Sequence, residues 1–175
     1  MAYTYSKIAT YTVGSGGIQA VSFLNIPQSY TDLVVKLSPK TTRTNADYEG
    51  VLCSINSNTT DGSYSRKVLM NNSGSAVSGT GNDRYIGWTT TNSGTAANVF
   101  GNFELYFPNY TSSTTKSYSC DFVNEGNFTA VTAQGIFSNS FSTISAITSI
   151  TFTTVNENNF TQHSTFHLYG IKAEL

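Results

Sequence analysis

Along most of this chain apolar residues recur at every second position, and clusters of turn-forming residues separate the runs. Leu33, Val35 and Leu37 recur at every second position before Pro39, and Val51, Cys53 and Ile55 do so before the loop NSNTTDGS. The clearest run is NVFGNFELYFPNY. Val99, Gly101, Phe103, Leu105 and Phe107 lie on one face, Phe100, Asn102, Glu104 and Tyr106 on the other, and Pro108 closes it. Successive side chains on a strand point to opposite faces, so each run predicts a half-buried β-strand. Shorter runs are marked by Ala9, Tyr11 and Val13; by Ile18, Ala20, Val21 and Phe23; by residues 67–70 and 84–88; by Tyr118, Cys120 and Phe122; by Phe128, Ala130 and Thr132; and by Ile150 and Phe152. The segment SFSTISAITSI allows one helical turn, and its Ser and Thr content argues against more. Residues 71–82 and 90–98 are small and polar, and read as exposed loops or a hairpin lying over a neighbour.

About eleven short strands joined by Gly, Asn and Ser turns predict an all-β fold: an antiparallel two-sheet β-sandwich, jelly-roll-like. The 175 residues contain no repeat or linker and predict a single domain spanning 1–175, with residues 1–17 a candidate extended segment for docking or swapping. The stretch FHLYGI is an apolar strand four residues from the last position. It is expected to complete a sheet with Phe166 and Leu168 facing the core, each burial stabilising by roughly 1.5–3 kcal/mol.

Composition narrows the function. Charged residues make up 11%, aromatics 13%, and the net charge is -1. The nine basic residues are scattered singly, so no stripe exists to neutralise phosphates, which argues against nucleic-acid binding. No apolar run is long enough for a membrane helix, and MAYTYSKIATYTVG lacks the marks of a secretory signal, which predicts a protein made in the cytosol. The five sequons are therefore read as unmodified.

Catalytic and metal chemistry find little support. Cys53 and Cys120 sit in alternating runs and read as buried small apolar residues, with a bridge between neighbouring strands as the alternative; no histidine stands at zinc-ligand spacing. His163 lies in a polar loop and His167 in a strand, opposite Phe166. Glu104 could be one carboxylate of a glycosidase pair, yet no second acid shares its strand and the other carboxylates are dispersed. No enzyme activity, metal or cofactor is expected. The remaining chemistry is a neutral surface bearing Tyr and Asn, the profile of a packing or adhesion module.

Three stretches carry a resemblance. IPQSYTDLVVKLSPKT, FELYFPNYTSSTTKS and ISAITSITFTTVNENNFTQHSTFHLYGI resemble segments of small structural proteins of tailed bacteriophages, with QHST where Gly-Ser is usual before the last strand. The resemblance spans about Ile26 to Ile171, and its final motif is the most specific part. It implies a jelly-roll-like virion protein, assembled in the host cytoplasm, with capsid decoration favoured over a tail, collar or fibre module. Implied partners are the major capsid protein or other virion proteins, further copies of the chain, and, for a tail module, host glycan. Candidate contact residues are Tyr3, Tyr5 and Trp88 for docking, and Trp88, Tyr85 and Tyr106 for stacking on sugar.

Overall fold

In the computed structural model, which describes residues 3–93, 99–125 and 132–173, the alternating runs become strands. They are β1 (Tyr3–Thr12), β2 (Val21–Phe23), β3 (Asp32–Ser38), β4 (Tyr48–Ile55), β5 (Tyr64–Asn72), β6 (Ser75–Gly81), β7 (Tyr85–Thr90), β8 (Asn102–Phe107), β9 (Lys116–Asn124), β10 (Ala133–Phe141), β11 (Ile150–Thr154) and β12 (Thr165–Ala173). A 3-10 turn covers Asp61–Ser63. The strands form an eight-stranded sheet, β1-β12-β3-β8-β9-β10-β5-β6, and a four-stranded sheet, β2-β11-β4-β7, all antiparallel.

From β2 to β5 the chain crosses between the sheets at every step, and it crosses again at β7, β8, β11 and β12. The small sheet pairs β2 with β11 and β4 with β7, and the large sheet pairs β3 with β8. This is the double Greek-key winding of a jelly roll. Two additions widen it: β9 and β10 stand between β8 and β5, and β12 and β1 are added beside β3. Between the sheets lies one core. Leu33, Val35, Leu37, Phe103, Leu105, Phe122 and Phe137 fill it from the large sheet, and Val51, Cys53, Ile55, Ile150 and Phe152 from the small one. Phe166 and Leu168 are buried in it, with the Phe166 ring 5.8 Å from that of Phe152.

Several expectations need correction. Of the two readings for 71–82 the hairpin holds and the loop does not: β5 runs on to Asn72, Ser73 and Gly74 turn with φ of 51° and 86°, and β6 returns. β10 was not anticipated. The segment after Phe141 makes no helical turn; Ile147 is buried and its N–H donates to Tyr110 O at 2.9 Å, a contact an extended chain can make. In the N-terminal stretch Tyr3–Thr12 is an edge strand paired with the chain's own β12. Cys53 and Cys120 are free, buried and on opposite sheets rather than neighbouring strands. Phe128, Ala130 and residues 94–98 lie outside the described residues.

The motifs quoted above converge at one end of the sandwich. Thr31 N–H donates to Ile171 O at 2.8 Å, and Ile26 N–H to Thr148 O at 3.0 Å. The Tyr110 hydroxyl donates to Pro27 O, and Gln28 Nε2 to Ile147 O at 3.0 Å. A Cβ on Gly170 would overlap the Tyr30 ring, so the glycine in LYGI is required by the tyrosine in IPQSY. At the other end, His163 takes a φ of 72°, the left-handed conformation that suits glycine, which explains the Gly-Ser pattern from which QHST departs.

Candidate interaction face

Pairing in the large sheet is regular enough to align residues in rows across all its strands. One row on the outer face reads Thr10, His167, Lys36, Glu104, Asp121, Ile136, Leu69, Ser78, one residue per strand from β1 to β6. The next row reads Lys7, Tyr169, Val34, Tyr106, Ser119, Ser138, Lys67, Thr80. The core faces of the same strands carry the Phe and Leu residues already described, so the alternation that builds the core also sets these rows.

The β1-β12-β3-β8 half of this face is internally satisfied. Lys36 Nζ lies 2.9 Å from Glu104 Oε2, each side chain about half exposed (49% and 48%). The hydrogen bond to Glu104, reinforced by its charge, holds the Lys36 ammonium above the usual lysine range. Thr10 Oγ1 and His167 Nδ1 lie 3.1 Å apart. Tyr106 Oη donates to Asp32 Oδ2 at 2.8 Å, and Asn109 N–H to Asp32 Oδ1 at 2.8 Å. Tyr5 packs edge-on against Tyr169 with centroids 6.4 Å apart.

The β9-β10-β5-β6 half differs. Leu69 is 71% exposed, Ile136 directly opposite it 55%, and Val123 38%. Between them the sheet is hollowed into an open groove of about 810 Å³ reaching from Val123 to Ala76 and Ser78. Exposed apolar side chains that lie side by side, rather than scattered singly, are a feature of contact surfaces.

The residues singled out in the sequence are not brought together. Tyr5 and Tyr106 lie on the outer face of the large sheet, 57% and 38% exposed. Tyr3 opens β1 opposite Ala173. Trp88 and Tyr85 belong to β7 at the edge of the small sheet. Trp88 is stacked on Tyr48 at 4.5 Å, which covers one of its faces, and Tyr85 lies 5.8 Å from Phe137 beneath the Arg66 guanidinium. Burial pushes the Tyr85 hydroxyl well above the tyrosine range.

Glu104 gains a neighbour that reading along one strand could not reveal: Asp121 stands opposite it on β9. The two carboxylates share an open face with Lys36, bordered by a shallow recess of about 270 Å³. Among the described residues no cluster of three or more His, Cys, Asp or Glu could hold a metal. His167 is on the opposite side of the large sheet from Cys120, and burial raises both thiols far above the usual range, which suppresses the reactive thiolate. Glu49, by contrast, is a buried carboxylate held inside the fold. It accepts from Gly50 N–H at 3.1 Å, Asn156 Nδ2 at 2.8 Å and Asn158 Nδ2 at 2.7 Å, tying β4 to the β11–β12 loop.

The chain matches no protein-family model and no curated protein sequence. Leu69 and Ile136 were missed as candidate contacts because each stands beside another apolar residue, Val68 and Phe137, and the chain alone does not say which of the two faces inward. Only the partner strands reveal that Val68 and Phe137 face inward and their neighbours outward.

Proposed function

We propose that this protein is a structural subunit of a tailed-bacteriophage virion, a capsid decoration protein that docks on the head through the outer face of its eight-stranded sheet. The observation that carries the docking surface is the exposure of Leu69, Ile136 and Val123 on one half of a face whose other half holds the Lys36–Glu104 pair and the Tyr5, Tyr169 and Tyr106 rings. Burying Leu69 and Ile136 against a capsid partner would contribute on the order of 1.5–3 kcal/mol each. The virion setting rests on the resemblance of the three motifs, and the jelly-roll winding agrees with it. The test is co-sedimentation of the purified chain with head shells, beside a count of copies in purified virions. Decoration predicts copies comparable to the major capsid protein, and binding lost in Leu69→Asp with Ile136→Asp. A few copies per particle would reject it.

A second reading draws on one further observation. Tyr5, Tyr169 and Tyr106 lie on adjacent or near-adjacent strands of the same face, a strip on which sugar rings could stack. A tail, collar or fibre module binding host glycan would lose binding in Tyr5→Ala with Tyr169→Ala and keep it in the Leu69 variant. A glycan array without hits would remove this reading.

A further inference from the structure

The two edges of the large sheet are built differently. β1 carries a bulge between Lys7 and Ala9 and a lysine beside it, devices that discourage another strand from adding on. β6, with the sequence SAVSGTG, has no charge, no proline and no bulge in its pairing with β5. Its open side can be worked out. The Ser73–Gly74 turn has both residues at positive φ, the two-residue turn whose flanking pair, Asn72 and Ser75, is hydrogen-bonded. Alternation then assigns Ser75, Val77, Gly79 and Gly81 to the ladder with β5, and leaves the N–H and C=O of Ala76, Ser78 and Thr80 pointing away from the sheet. All three residues are exposed, and among the described residues no hydrogen bond reaches these groups.

We propose that β6 pairs with β6 of a second copy, antiparallel about a two-fold axis through Ser78. An uncharged edge meets its own copy without repulsion, and a two-fold contact requires only that one patch complement itself. In this register Ser78 faces Ser78 of the other copy and Ala76 faces Thr80. The small side chain thus meets the larger one on both sides of the axis, and about six main-chain hydrogen bonds form. Main-chain donors and acceptors are common to every strand, so what favours a second copy is the lack of charge on β6 and the match of its own short side chains across the axis. Each copy would bring its Leu69 and Ile136 to flank a shared trough of short side chains. The pairing does not depend on where the protein functions, and a monomer could still bind capsid or glycan.

The test is sedimentation equilibrium of the full chain up to about millimolar concentration, with Ser78→Pro alongside. Proline removes only the outward N–H of Ser78, which the β5–β6 ladder does not use, and edge strands accept it there. The expected result is a wild-type dimer and a Ser78→Pro monomer with the same circular dichroism spectrum. Should proline disturb the strand, Ser78→Lys, which puts two ammonium groups at the axis, is expected to abolish the dimer in a folded chain. Ser78→Cys is expected to cross-link the two copies on oxidation, because hydrogen-bonded antiparallel pairs hold Cα atoms about 5.5 Å apart. A wild-type chain that stays monomeric, an assembly that survives both Ser78→Pro and Ser78→Lys, or fast exchange of the Ala76, Ser78 and Thr80 amides in the assembled protein would overturn the proposal.

Discussion

The outer face of the large sheet has two halves made from the same strand chemistry, yet they are finished in opposite ways. Around β12, β3 and β8 polar groups meet partners on the same chain: Lys36 with Glu104, Tyr106 with Asp32, Thr10 with His167. Around β10, β5 and β6 aliphatic side chains stand in water and one strand edge has no neighbour. A satisfied surface gains little from a partner, since any new contact must first displace an existing one. A surface with unmet apolar area and unpaired main-chain groups gains from the first contact it makes. The first half thus serves the fold, and the second is the half on which the proposed contacts fall.

The sharpest way to break this comparison is truncation. Removing residues 166–175 takes β12 from between β1 and β3, with the buried Phe166 and Leu168, and should leave a chain with no cooperative thermal transition. A truncated protein that melts like the full chain would refute the structural role of that half. Gly170→Ala drives a methyl group into the Tyr30 ring, and should cost roughly 1–3 kcal/mol in urea denaturation. His163→Gly works in the opposite direction, relieving a left-handed residue and stabilising by up to about 1 kcal/mol in the same assay.

Lys36→Met should change stability by only about 0.2–1 kcal/mol, because the pair it breaks is half exposed. The sign is set by the raised Lys36 pKa. The contribution is fully present below the ordinary lysine value of 10.5 and fades as pH climbs through the higher folded value, so wild type and variant should converge in thermal melts at strongly alkaline pH. Smallest of all, Leu69→Ser with Ile136→Ser should leave the folding free energy within about 0.5 kcal/mol of wild type while altering association. A large loss of stability there would mean the aliphatic half is structural after all.

How much of this was legible depends on where each pattern came from. β8, β9 and β12 each bury one face, so hydrophobic alternation marked them clearly, while β3 and β4 bury most of both faces and were marked by Leu33, Val35 and Leu37 and by Val51, Cys53 and Ile55. β6 buries neither face, and a strand without a core face leaves no alternation in its sequence: SAVSGTG reads as a loop because solvent surrounds most of it. β10 was hidden by its adjacent Ile136 and Phe137, where alternation of side-chain direction does not coincide with alternation of polarity. The Glu104–Asp121 and Leu69–Ile136 neighbours depend on inter-strand register, which a one-residue slip would abolish and which no single strand records. The motifs behind the resemblance proved to be fold determinants: Tyr30, Tyr110 and Gly170 lock one end of the sandwich, so they speak to architecture more directly than to the docking surface.

Cys53 and Cys120 reach the interior from opposite layers, and neither meets solvent while the layers stay together. An alkylating reagent must wait until the sandwich parts. Fraying of the β5–β6 hairpin leaves both sulfurs sealed, whereas separation of the layers unveils the pair at once. The protein thus carries its own stopwatch for whole-domain opening, one that ignores events at its unpaired margin.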